Sequence, residues 1–126
     1  MPLDTEKLAK HLRDKAVDRS RGQCAYYVRL ALQAGGANLE GHPKHAKDYG
    51  PTLRRIGYKE IAVANPASYK FMKGDIVVLQ PYAGGNKSGH IAAYDGTQWI
   101  SDFFQKDFWS GPNYRKHKPS HVFYRP

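Results

Sequence analysis

Ser20-Arg21-Gly22-Gln23-Cys24-Ala25-Tyr26-Tyr27-Val28-Arg29 reads as a glycine-containing turn that becomes a helix, and the only cysteine of the chain stands at the changeover. Ser20 is a suitable N-cap, the helix runs over about residues 22–33, and Gly35-Gly36 stops it. Ala25, Val28 and Leu32, with Tyr27 beside them, recur at helical spacing and face inward, which leaves Cys24 in the exposed first turn. A thiol in that position feels the positive end of the helix dipole, which favours the thiolate and so nucleophilic chemistry.

Toward the N-terminus, Leu8, Leu12 and Ala16 recur every four residues among charges, so residues 4–18 read as an amphipathic packing helix with Asp4 or Thr5 as its N-cap. Toward the C-terminus, residues 43–55 read as a short third helix broken or kinked by Gly50-Pro51, followed by an extended stretch at 58–63 and a loop at 65–73. Ile76-Val77-Val78-Leu79 is a strand buried on both faces. A glycine-rich loop at 81–89 then leads into a hairpin, with strands at 90–94 and 97–103 around Asp95-Gly96. Residues 104–120 read as irregular and 121–125 as a last strand. Helices first and an antiparallel sheet afterwards define the α+β class, N-terminal helices (about 4–56) packed on a C-terminal sheet (about 58–126), and residues 1–126 are expected to form one domain.

Apolar residues make up 40% of the chain and charged residues 25%, a globular composition that excludes the disordered class. Twenty Lys and Arg against eleven Asp and Glu leave +9, a field that attracts polyanions: nucleic acid, anionic lipid or acidic cell-wall polymer. One cysteine excludes an internal disulfide and a multi-cysteine zinc site. Met1-Pro2-Leu3-Asp4-Thr5-Glu6-Lys7 lacks the basic and apolar regions of a signal peptide, and no run is long enough to span a membrane. The expectation is a protein made in the cytoplasm, with no membrane insertion, that leaves by some route other than a cleaved signal.

A free thiol with a pKa of about 8.5 is only a few per cent thiolate at neutral pH, so hydrolysis needs a base, a dipole or both. His90, which opens the run Ile91-Ala92-Ala93-Tyr94, is the candidate base. A hairpin packed across the start of the second helix would bring it to Cys24, with N–H groups of the helix start, including that of Cys24, placed for an oxyanion. The third group depends on the hairpin. A two-residue turn pairs Tyr94 with Thr97, sets His90 opposite Ser101 and turns Asp102 to the other face. A three-residue loop, Tyr94-Asp95-Gly96 with Gly96 left-handed, shifts the parity and puts Asp102 on the face of His90. A carboxylate accepts from the imidazole N–H, fixes its tautomer and raises its basicity, which Ser101 does only weakly, so the three-residue loop and Asp102 are expected.

In Gly22-Gln23-Cys24-Ala25-Tyr26-Tyr27-Val28-Arg29, Lys73-Gly74-Asp75-Ile76-Val77-Val78 and Gly89-His90-Ile91-Ala92, the chain resembles the NlpC/P60 and CHAP superfamily of papain-like cysteine amidases. With Trp99-Ile100-Ser101-Asp102-Phe103, it is similar in character to the amidase effectors of type VI secretion. The resemblance implies a papain-like (NlpC/P60-type) fold, with Cys24 as nucleophile, His90 as general base and then acid, and Asp102 as the orienting residue, while Gln23 and Tyr26 line the substrate site. It implies no metal and no cofactor, peptidoglycan as substrate, and a monomer acting in the periplasm or cell wall of a target bacterium. It also implies secretion machinery and a cognate immunity protein as partners, and no specific nucleic acid. Two other readings compete: a phage or autolytic endolysin of the same chemistry, and a non-catalytic basic module that binds nucleic acid or cell wall.

The remaining constellations are weaker. His42-x-x-His45 borders Pro43, His117-x-x-x-His121 spans Pro119, and neither has a nearby acidic partner, so no metal site is expected. Ala83-Gly84-Gly85-Asn86-Lys87-Ser88-Gly89 lacks the Gly-Lys-Ser/Thr ending of a phosphate loop and leads into a strand, so it reads as a mobile lip over the site. The basic aromatic tail, Phe108, Trp109 and Tyr114 to Lys118, has the composition to stack on bases or sugars, but reads as solvated surface with a few packed aromatics.

Overall fold

Asp4 starts the first helix: its Oδ1 accepts the N–H of Lys7 at 3.1 Å, satisfying one of the donors that a helix start leaves open. A computed structural model describes residues 2–126, and in it α1 (Thr5–Lys15) stops at Ala16 with Leu8, Ala9 and Leu12 buried. Helix α2 (Cys24–Ala34) packs against it through Val28, Ala31 and Leu32 and ends at Gly35. The expected third helix over 43–55 is instead a 3₁₀ turn (Ala46–Asp48) followed by α3 (Gly50–Arg55). Pro51 lies in the first turn of α3, where the sequence reading had it break a helix, because first-turn N–H groups have no partner in the ladder and proline's missing donor costs nothing there.

The sheet has five antiparallel strands in the order β1-β5-β2-β3-β4: β1 (Lys59–Ile61), β2 (Ile76–Leu79), β3 (His90–Tyr94), β4 (Trp99–Ile100) and β5 (His121–Arg125). The architecture is α+β. Central β2 is buried on both faces, as its unbroken apolar run requires. Ile76 and Val78 join Leu8, Val28, Leu32 and Ile91 under the helices, while Val77 and Leu79 join Trp99, Phe108 and Phe123 on the opposite face. Buried Asp75 precedes β2 and takes two hydrogen bonds from Arg125, at 2.9 and 2.8 Å, which fastens the last strand to the centre of the sheet.

The hairpin departs from the expected three-residue loop. Tyr94 pairs with Trp99, so the loop is the four residues Asp95-Gly96-Thr97-Gln98. Asp95 is responsible: its Oδ1 accepts the N–H groups of Thr97 and Gln98, each at 2.8 Å, and Arg13 approaches its other oxygen at 3.4 Å. β4 is also shorter than expected, because Ser101 N–H bonds to the Phe103 carbonyl at 3.1 Å and bends the chain directly after Ile100. In the stretch read as irregular, Pro112–His117 forms α4, with Pro112 in its first turn and Lys118 left-handed (φ 48°) after it.

Candidate active site

Cys24 is the first residue of α2, and the turn before it is held from outside the helix. The capping position falls on Gln23, which makes no side-chain cap, and Ser20, the expected N-cap, accepts only the Gly22 N–H at 3.3 Å. The acceptor comes from Asp102. Its Oδ2 takes the N–H of Arg21 at 2.6 Å and of Gln23 at 3.1 Å, and Ser101 Oγ donates to its Oδ1 at 3.2 Å. Gly22 has φ 69°, a left-handed conformation that suits glycine and lets two N–H groups converge on one carboxylate oxygen.

His90 opens β3 directly after Gly89, whose φ of 71° and close approach to the Leu79 carbonyl leave no space for a side chain. The imidazole is buried, and its Nε2 lies 2.7 Å from Gln105 Oε1. The Gln105 Nε2 donates to the Asp107 carbonyl at 2.9 Å, which fixes the amide so that its oxygen faces the imidazole. Nε2 therefore carries the proton and Nδ1 is left as the basic nitrogen. The partner of His90 is thus Gln105, and Asp102 makes no hydrogen bond to the imidazole. The hairpin register explains this correction. Continued past Ile100, it would set Phe103 opposite His90 and Asp102 opposite Ile91, on the helix-facing side where α2 begins.

Cys24, His90 and Asp102 line one cleft of about 400 Å³, with Gln23 and Tyr26 on its wall and Tyr114 contributed by α4. The dipole does not dominate the thiol as expected. Burial pushes it up to about 11 and the Asp102 charge adds to that, against the lowering by backbone N–H groups of Ile91, Ala25 and Cys24 itself. Burial also lowers His90 below the usual histidine range, opposed by the Gln105 hydrogen bond and the Asp102 charge. Within the cleft, burial thus disfavours the charged form of both groups, the thiolate of Cys24 and the imidazolium of His90. The first hydrogen bond of α2 runs from Tyr27 N–H to the Gln23 carbonyl at 3.1 Å, so the N–H groups of Cys24, Ala25 and Tyr26 precede the ladder.

Two solved structures resemble the chain over nearly its whole length. One is the type VI native effector–immunity complex Tae3–Tai3 from Ralstonia pickettii, with a TM-score of 0.82 and 41% identity over 97% of this chain and 98% of that one. The other is the selenomethionine form of that complex, with a TM-score of 0.81 and 43% identity over 94% and 98%. This chain belongs to the Tae3 family of type VI effectors. The crystal structure of Ly7917, at 17% identity and a TM-score of 0.52, shares the fold alone, and this chain covers 61% of it. No protein-family model and no curated protein matches the chain.

Within this Tae3-family fold the cleft gathers every expected site residue, but not in the expected pairing. Gln23 and Tyr26 are exposed at its mouth, and Arg29 sits over the Tyr26 ring at 5.2 Å. Sequence reasoning missed Gln105 and Tyr114. The first lies beyond the bend that ends β4, where strand parity carries no information, and the second lies on a helix only six residues long. Among the described residues, no cluster of three or more His, Cys, Asp or Glu is placed to hold a metal ion.

Proposed function

We propose that this Tae3-family chain is a cysteine amidase that cleaves an amide bond in the peptide of bacterial peptidoglycan and acts as an antibacterial effector. The observation that supports it most is the imidazole of His90, with Nε2 held by Gln105 and Nδ1 free, in one cleft with a cysteine at a helix start. A cysteine and a histidine so placed fit the papain-like reading that the motifs' resemblance to the NlpC/P60 and CHAP amidases implies.

Nδ1 of His90 takes the proton from the Cys24 thiol as Sγ attacks the scissile carbonyl. The carbonyl electron pair moves to oxygen, where N–H groups of the α2 start stabilise it. When the intermediate collapses, the C–N bond breaks and the imidazolium gives its proton to the leaving amine, leaving a thioester on Cys24. Water, losing its proton to His90, then adds to the thioester carbon, and the thiolate leaves and is reprotonated. Gln105 orients the imidazole throughout, Asp102 holds the turn that presents the nucleophile, and Gln23 and Tyr26 contact the peptide. The chemistry needs neither metal nor cofactor.

The +9 charge suits an anionic cell wall, and the attraction weakens with salt. Its Tae3 relatives were solved as effector–immunity complexes, which supports a cognate immunity protein for this chain, export through type VI secretion machinery and action in the periplasm of a target cell, and favours an effector over an endolysin. No described helix is long and apolar enough to cross a membrane. Incubation of purified sacculi with wild type, Cys24→Ala and His90→Ala, followed by mass spectrometry of the released muropeptides, tests the reading. Wild type is expected to release new amine and carboxyl termini and both variants to release none. Equal release by Cys24→Ala, or none by wild type, would contradict it.

A further inference from the structure

Tyr114 stands on α4 with its ring 5.9 Å from the His90 imidazole, and the ring is held in place. Tyr82, from the glycine-rich loop at 81–89, packs on it edge to face at 4.9 Å, and the other side of that contact is closed by His117 stacked on Tyr82 at 4.6 Å. The loop and the helix are thereby joined across the rim of the cleft.

The Tyr114 hydroxyl is the only buried side-chain nitrogen or oxygen among the described residues that has no hydrogen-bond partner. Leaving a buried hydroxyl unpaired is unfavourable, and phenylalanine would make the same ring contacts without that cost. Its polar neighbours in the cleft do not reach it: His90 Nε2 is engaged with Gln105, both oxygens of Asp102 with Arg21, Gln23 and Ser101, and the free Nδ1 of His90 makes no hydrogen bond to it. Burial, and then the nearby Cys24, push the phenol up to about 12, so it remains a protonated donor at neutral pH. An unpaired donor on the wall that also holds the thiol and the imidazole is placed for a group that arrives with the substrate.

We infer that the Tyr114 hydroxyl touches the substrate, donating a hydrogen bond to the oxygen of the amide that Cys24 attacks. The inference rests on the amidase reading above. In catalysis the donor serves the carbonyl as it gains negative charge, alongside the N–H groups of the α2 start, and keeps its own proton throughout.

The test compares full-length wild type, Tyr114→Phe and Cys24→Ala on a soluble cross-linked muropeptide, with Tm and the rate of Cys24 alkylation by iodoacetamide measured on the first two. Tyr114→Phe keeps the ring packing. It is expected to lose about 100-fold in kcat/KM, the scale of one lost oxyanion donor, with Tm unchanged or raised and alkylation within twofold of wild type. A loss of less than tenfold overturns the inference. So does a loss accompanied by a lower Tm or by altered alkylation, because either assigns the effect to packing or to the thiol. If Cys24→Ala cleaves as well as wild type, the amidase reading itself fails. A dead Cys24→Ala beside a fully active Tyr114→Phe sinks only the role of Tyr114.

Discussion

Asp102 and Gln105 lie three positions apart on one bend, yet they support opposite halves of the cleft. The carboxylate goes to the α2 side, where two backbone N–H groups and a hydroxyl converge on it. The amide goes to the β3 side, where it takes one imidazole N–H and ties its own NH₂ to a carbonyl. Each site received the partner its electrostatics require. Converging N–H donors compensate a buried charge, whereas a carboxylate against His90 would raise the imidazole and bring it closer to permanent protonation. A neutral amide fixes the tautomer and leaves Nδ1 basic but unprotonated, which is what a proton acceptor for a buried thiol must be.

Exchanging the two losses sharpens this contrast. Asp102→Ala takes the shared acceptor from the N–H groups of Arg21 and Gln23, opens a hole at a buried position and loosens the turn before Cys24, so urea unfolding is expected to show a loss of about 2 kcal/mol. Gln105→Ala is expected to lose about 100-fold in kcat on muropeptide with only about 1 kcal/mol of stability, because it frees the imidazole without opening a charged site. If the two variants swap these phenotypes, the division of labour is wrong. Gln105→Glu sets a carboxylate against the imidazole and is expected to move the acid limb of the kcat/KM profile upward by about one pH unit while the maximum falls. An unmoved limb would show that His90 is not the titrating base.

The smallest expected effect is on stability. Because His90 titrates below its unfolded value of about 6.5, the unfolded chain takes up a proton that the folded chain refuses as pH falls through that window. This contribution is complete above about pH 6.5 and is lost below it, so urea midpoints should fall between pH 7 and pH 5 by more in wild type than in His90→Gln.

Much of this arrangement was legible in the sequence, and the parts that were not have physical reasons. The α2 start, the two-sided burial of β2 and the meeting of a helix cysteine with a strand histidine in one cleft follow from spacing and from apolar runs. The hairpin was misread because a side chain decided it: Asp95 gathers two N–H groups and lengthens the loop to four residues, which turns Asp102 toward the helices. Gln105 was invisible because it lies past a bend, where neither period nor parity extends. Tyr114 was hidden in a short basic helix whose composition resembles solvated surface, and only the lack of a partner for its hydroxyl marks it.

The central claim is that Gln105 holds Nε2 of His90 as N–H and leaves Nδ1 to take the proton of Cys24. A ¹⁵N NMR titration of the imidazole in the folded protein measures it most directly. The account predicts the Nε2–H tautomer at neutral pH, an apparent pKa below 6.5, and loss of the tautomer preference in Gln105→Ala. An Nδ1–H tautomer, or a preference unchanged by Gln105→Ala and abolished by Asp102→Asn, would contradict it.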